Sequence, residues 1–280
     1  MPMMASLAYR TSKGYSIVQP DSQLGYIENL LRMLFKNPMS EWKCDPRIIK
    51  IVEKLFIVHA DHGQCESTTT LRIAVSSQAN PYACIAAAMA SLWGHAHGGA
   101  DEEVIKMFEK IGSVENIPAF LEGVKQKKYL LMGFGHRIYK TYDPRGVIVK
   151  QLLREVEFVL GDKFDRKLMD IALELERRAL EDDYFISRKL FPNVDYYTGI
   201  IYRSLGLPEN MYTVMFSLAR SIGWMAQYLE QTKDRIKINR PRQIYIGETN
   251  RKFVKIGDRP DVKRCIKIPK ENELFNLPEL

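Results

Sequence analysis

The chain has 280 residues, 46% of them hydrophobic and 27% charged, which suffices for one large or two modest cores and excludes wholesale disorder. Its formal charge of +7 comes from basic residues that are scattered apart from a run near Arg235–Arg242, so it is a weak sign of nucleic-acid binding and fits the handling of anionic small molecules equally well. The cysteines Cys44, Cys65, Cys84 and Cys265 form no CxxC pair, which fits reduced thiols in a cytosol-like compartment and argues against a disulfide frame or a zinc knuckle.

Taken in order, the dominant period is helical. Ile27, Leu30, Leu31 and Leu34 follow the i, i+3, i+4, i+7 pattern of one buried face. Asp45-Pro46 offers a cap and an N1 proline for a second helix, whose apolar stripe runs from Ile48 through Val52 and Leu55 to His59 and His62. Asn80-Pro81 opens a third, rich in small residues that suit close helix packing and ending near Gly94. Ala100–Ile111 is a fourth, with Asp101, Glu102 and Glu103 in the first turn, where the helix dipole favours acids. Further helices are expected at 118–127, 146–160, 165–181, 196–205 and 210–230. Strand-like alternation is confined to Arg242–Gly247. The chain reads as all-α, broken at glycine-rich turns near 94–99, 133–135 and 206–208. No apolar run approaches the ~20 residues of a membrane span, and the opening MPMMASLAYR lacks the apolar core of a signal peptide.

Several residues are hard to explain as structure alone. His59 and His62 sit on an apolar face, so both are expected to be buried core histidines. HxxH and HxH spacings could also supply imidazoles to a metal, but Ala60 and Asp61 stand where an HExxH motif needs its glutamate. His97 lies between Gly94 and Gly98-Gly99, and His136 follows Gly133-Phe134-Gly135. Two glycine-rich turns that each deliver a histidine are less easily dismissed than one. The segment Met211–Leu229 is apolar on both faces and is expected to be buried nearly all round, with Arg220 its only charge. A buried guanidinium needs an anionic partner, either a protein carboxylate or the carboxylate of a substrate. Asp195, in FPNVDYYTGII, is either an ordinary helix cap or a general base, and spacing cannot choose. Arg145 in YDPR and Arg240 in NRPRQ sit beside prolines that fix their direction.

At these residues the chain resembles the citrate synthases, in their bacterial form. The stretches LFIVHADHGQ, TLRIAVSSQANPYACIAAAMASLWG, HAHGGADE, LMGFGHRIYKTYDPR, PNVDYYTGII, SLARSIGW and NRPRQIYIG occur in the family order, from about Tyr15 to about Gly247. The resemblance implies an all-α fold, with a large helical domain from 1–109 and 210–280 and a smaller one over 110–209 that closes on the substrates. It implies condensation of acetyl-CoA with oxaloacetate and water to citrate and CoA, in the cytoplasm, by a homodimer or larger homo-oligomer. Neither metal nor prosthetic group, nucleic acid nor membrane is implied. It makes His97 the hydrogen-bond donor to the thioester carbonyl, Asp195 the base on the acetyl methyl and His136 the donor to the oxaloacetate carbonyl. His62, Arg145 and Arg220 become oxaloacetate ligands, Arg240 a ligand donated across a dimer interface, and Met132, Gly133, Phe134 and Gly135 part of the loop around the CoA adenine. There are two departures. The family is longer at its N-terminus by roughly a third, and the position two before the catalytic histidine, usually proline, is His95. The neighbouring readings are a 2-methylcitrate synthase that takes propionyl-CoA, and a truncated, catalytically silent relative that only binds.

Overall fold

Three helices open on the same local signature. Asp45, Asn80 and Asp143 each stand before a proline and accept a backbone N–H from Arg47 (2.8 Å), Ala83 (3.0 Å) and Arg145 (3.0 Å). The computed structural model describes residues 1–234, 236–244, 246, 250, 252–255 and 258. Its helices are α1 (Pro2–Ser12), α2 (Tyr26–Phe35), α3 (Pro46–His59), α4 (Glu66–Ser76), α5 (Pro81–Leu92) and α6 (Ala100–Ile111), then α7 (Ile117–Lys125), α8 (Pro144–Leu160), α9 (Arg166–Leu180), α10 (Asp183–Ser187), α11 (Asp195–Ser204) and α12 (Tyr212–Lys233). The all-α reading holds: the described residues contain no strand, and the single isolated β-bridge pairs Phe134 with Pro192. The strand expected over Arg242–Gly247 lies partly outside the described residues, and 242–244 are irregular. No helix among the described residues is long and apolar enough to cross a membrane.

Met1–Asn239 form one compact unit, and the described residues from Arg240 onward belong to a second. The first unit holds two hydrophobic clusters. The larger gathers Leu30, Leu55, Val104, Phe108, Leu153 and Ile200, among others. The smaller is built by α4 and α5 around Leu71, Val75, Cys84 and Leu92. Helix α12 feeds both, with Met215 and Leu218 in the larger and Phe216 and Trp224 in the smaller. Each such side chain contributes about 1.5–3 kcal/mol on burial, so α12 is pinned from two sides. Its Gly223 is the closest approach: a Cβ there would lie 2.1 Å from the Ala60 carbonyl oxygen. That contact brings Arg220, one turn back, against the end of α3.

Two expectations need correction. Helix α12 is not buried all round, because Ile222 and Leu229 are 63% and 53% exposed. Ile222, Met225 and Leu229 recur at i, i+3 and i+7 on one face that is turned to solvent, while Tyr228 still packs on the smaller cluster. His62 is not on a buried helix face, because α3 ends at His59 and His62 is only half-buried. Helices α1, α4 and α10 carry no clear sequence signal. In α4, Thr68, Thr69 and Thr70 are β-branched and weak helix formers; packing on α5 and α12 overrides that preference.

Candidate active site

The turn that carries His97 is folded back on itself. The His97 and Gly99 amides both donate to the Gly94 carbonyl, at 2.9 and 3.1 Å. This aims the His97 ring at the start of α4, where the Ser67 amide donates to Nε2 at 3.3 Å and the Ser67 hydroxyl lies at 2.9 Å. An Nε2 that accepts an amide proton leaves the ring proton on Nδ1, so His97 has an N–H to offer. His95 does not leave the turn loose. Its Nδ1 lies 3.2 Å from Glu103 Oε1, which ties the turn to α6.

His136 shows the same logic with the nitrogens exchanged. Its Nδ1 accepts from the Ile138 and Tyr139 amides, at 3.1 and 3.4 Å, so the donor is Nε2–H. The Gly-Phe-Gly segment before it is stitched to the chain before α11. Gly135 N–H donates to Phe191 O (2.8 Å), Asn193 N–H to Gly133 O (2.9 Å) and Asn193 Nδ2 to Gly135 O (3.1 Å). Gly133 has φ +75°, and a Cβ there would lie 2.9 Å from the Tyr196 ring, so the close approach requires glycine. His62 stands edge-on to His136 with ring centroids 5.1 Å apart, and its Nε2 lies 3.1 Å from the Tyr139 hydroxyl. Burial, then the positive Arg145, hold the His62 pKa down to about 4, so the ring is neutral at pH 7.

Arg145 lies against Asp143 in a two-pronged ion pair, Nη2 to Oδ2 at 2.8 Å and Nε to Oδ1 at 3.1 Å. Asp143 is 1% exposed and also accepts the Val194 amide at 3.2 Å, so one carboxylate caps α8, orients Arg145 and holds the residue before Asp195. Behind it Tyr142, Lys150 and Tyr197 converge on the buried Glu176, which fixes the loop to α9 and α11.

Arg220 is 1% exposed, and its partner is not a carboxylate. Its Nε donates to the His59 carbonyl at 2.6 Å, its Nη1 lies 3.0 Å from Cys65 Sγ, and its guanidinium sits over the Phe216 ring. Burial opposes ionisation of the Cys65 thiol. His97, the Arg220 charge and the Ser67 and Thr68 hydroxyls together outweigh burial and pull its pKa down to about 6. Arg220 is therefore balanced by a thiolate, a partner that no charge pattern announces.

Asp195 is the first residue of α11, and the cap position before it is held by Val194. The reading of Asp195 as an ordinary cap therefore fails. Its Oδ1 is buried, and no donor among the described residues reaches it. It sits with Asp101 and His59, one ligand atom of each lying within 4.8 Å of the other two. His97 and Arg145 both act on its charge. Burial raises its pKa, and Arg145, Asp101 and His97 pull the other way.

The structure thus brings His62, His97, His136, Arg145, Asp195 and Arg220 into one neighbourhood. Neither histidine pair of the metal reading converges: His59 packs on Phe216 and His62 on His136, while His95 turns to Glu103 and His97 to Ser67. Met132 and Phe134 are half-buried beside this neighbourhood. Arg240 is exposed and belongs to the second unit. Sequence reasoning missed four participants. Asp143 repeats the Asp-Pro signature and could have been found. Cys65, Ser67 and Asp101 owe their place to packing alone.

A family model described as citrate synthase, C-terminal domain, matches residues 1–242. Among solved structures, the chain is similar to citrate synthase from Thermotoga maritima MSB8, at 35% identity and TM-score 0.80 over 93% of this chain and 68% of that one. It is similar to citrate synthase from Thermoplasma acidophilum, solved as a ternary complex with carboxymethyl coenzyme A and oxaloacetate, at 34% identity and TM-score 0.84 over 92% and 66%. A third match is citrate synthase from Pyrobaculum aerophilum, at 35% identity and TM-score 0.81 over 92% and 62%. The chain thus spans 62% to 68% of the length of these structures.

Proposed function

The chain belongs to the citrate synthase family, and on that footing we propose that it condenses acetyl-CoA with oxaloacetate and water to give citrate and CoA. The observation that carries the reading is Asp195, whose buried Oδ1 has no donor among the described residues, set among two imidazoles whose tautomers each leave an N–H to donate, with Arg145 and Arg220 both acting on its charge.

Each part has a chemical task. Asp195 takes a proton from the acetyl methyl, and the electron pair becomes an enolate at the thioester oxygen. His97 Nδ1–H stabilises that oxygen; one such donor is worth about 2.7–4 kcal/mol in related oxyanion sites. The enolate carbon attacks the oxaloacetate ketone, and His136 Nε2–H gives its proton to the new alkoxide, a step worth ~10²–10⁴-fold. Water then cleaves citryl-CoA to citrate and CoA. Arg145 and Arg220 bind the two oxaloacetate carboxylates, with Asp143 and Cys65 as the anions displaced or shared, and neutral His62 donates to the same substrate. Arg240 serves the site of a second copy, and residues 132–135 meet the CoA adenine. The imidazoles supply the polarisation, so the reaction calls on no metal. The exposed Tyr82, Trp93, Ile222 and Leu229 support a homo-oligomeric state, which light scattering reads directly.

The experiment is oxaloacetate-dependent release of the CoA thiol from acetyl-CoA, with propionyl-CoA in parallel to read acyl preference. Release should require both substrates, and Asp195→Asn should lower it by at least ~10²-fold while oxaloacetate still binds. No release from the folded chain would favour the silent relative.

A further inference from the structure

The proposed base Asp195 meets two other buried acceptors, with no donor among the described residues to separate the three. Asp101 is fully buried, and neither of its oxygens has a hydrogen-bond partner. His59 is fully buried as well; its Nδ1 bonds the Leu55 carbonyl at 2.8 Å, and its Nε2 has no partner. Asp195 Oδ1 is the third. One ligand atom from each of the three lies within 4.8 Å of the other two. Helices α6 and α11 are pressed together here, because a Cβ on Gly199 would lie 3.0 Å from the Asp101 carbonyl oxygen.

Two ionised carboxylates and an imidazole lone pair cannot share such a space without a positive particle between them. An unpaired buried carboxylate costs several kcal/mol and takes up a proton instead. A metal cation is disfavoured, because Arg145 already acts on Asp195 and Arg220 on His59. That leaves a proton, and burial decides who keeps it: Asp101 is sealed, whereas Asp195 retains partial exposure.

Resting on the citrate synthase reading of Asp195, we infer that Asp101 is a positioning residue: it stays protonated in the fold and donates its O–H to Asp195 Oδ1, leaving Oδ2 as the basic oxygen. When Oδ2 takes the substrate proton, the Asp101 O–H can turn to His59 Nε2, whose lone pair waits beside it. Asp195 on α11 acts on Asp101, His59 on α3 lies beside it, and Asp101 in turn raises the pKa of Tyr202 on α11 and Tyr212 on α12. Neither tyrosine hydroxyl reaches it. Arg145, Asp143 and His97 act on Asp195.

The first test is independent of turnover. Infrared difference spectra of the full chain against Asp101→Asn, from about pH 5 to about pH 9, should show the carbonyl band of a buried protonated carboxylic acid that disappears in the variant. No such band, or a stoichiometric metal ion in the purified protein, would overturn the proposal. The second test uses the pH profile of kcat. Asn keeps an N–H donor, so Asp101→Asn should retain kcat within ~3-fold and keep the acid limb in place. Asp101→Leu removes the donor that favours the Asp195 anion, so its acid limb should move to higher pH and its kcat fall ~10-fold or more with KM unchanged. An unmoved acid limb in a folded Asp101→Leu chain would overturn it. A chain that shows the band but no turnover would refute the enzymatic reading and leave the proton pair standing.

Discussion

Cys65 can report on whether Arg220 meets a substrate carboxylate. Its pKa is pulled from the ordinary 9.0 down to about 6, so roughly nine-tenths of it is thiolate at pH 7, against about a hundredth for an unperturbed thiol. A low-pKa thiolate is a poorer nucleophile, by ~20-fold over three units, so alkylation at pH 7 should be only ~4-fold faster than usual. The rate alone is a poor readout, and the pH midpoint is the better one. Arg220 Nη1 lies 3.0 Å from Sγ, and a substrate carboxylate that takes over this guanidinium removes a charged hydrogen bond worth about 1.5–3 kcal/mol, with the lower end favoured because Cys65 is half-buried and solvent screens it. At 1.36 kcal/mol per unit, the midpoint should climb from about 6 toward roughly 7–8. Iodoacetamide labelling across pH, resolved by peptide mass spectrometry with and without saturating oxaloacetate, measures this. Burial raises the pKa of Cys44 and of Cys84, so these two serve as internal controls. A steric shield would slow labelling at every pH without moving the midpoint. A midpoint near the ordinary value in the free protein, or one that bound oxaloacetate leaves in place, would refute the argument.

Three other outcomes are expected. Gly223→Ala forces a Cβ to within 2.1 Å of the Ala60 carbonyl oxygen, so α3 and α12 must part at a cost of about 1–3 kcal/mol; an unchanged urea midpoint would show that they separate freely. His59 is held neutral by burial, with a pKa of about 3, while the unfolded chain protonates near 6.5. The unfolded state therefore gains the proton first as pH falls, and stability is lost below pH ~6.5. His59→Gln should make the loss between pH 7 and pH 5 smaller by about 2 kcal/mol, read by urea unfolding at the two values. Dialysis against a chelator should leave turnover intact, and activity lost on chelation and restored by a divalent ion would refute the assignment of polarisation to His97 and His136.

Local signals read well and tertiary ones did not. Asp45-Pro46 and Asn80-Pro81 announce their helices because a cap and an N1 proline act within three residues. Asp195 could not be assigned from spacing, since a cap and a base look alike until the fold puts Val194 in the cap position and leaves the buried Asp195 Oδ1 without a donor among the described residues. Sequence reasoning names a carboxylate as the partner of Arg220, whereas its hydrogen-bond partners in the fold are the His59 carbonyl and the Cys65 sulfur. Asp101 reads as an acid at a helix start, and only the packing of α6 on α11 shows that it is sealed beside a second carboxylate. The half-exposed His62 departs from its apolar stripe for a similar reason: the pattern continues past the residue at which the helix stops.

The three hydrogen bonds between the 133–135 segment and the 191–193 segment have a consequence for how this protein can change over generations. His136 and Asp195 are far apart in the chain, yet each follows one of two strips that are fastened edge to edge. A substitution that shifts one strip carries the other with it, so the spacing of these two side chains is inherited as a unit. Cys65, Ser67 and His97 hang from α4 and the 94–99 turn and have no share in that fastening. Tolerance to drift is therefore uneven: the lineage can retune the His97 side in small steps, whereas the His136–Asp195 spacing changes only if both strips are rebuilt together.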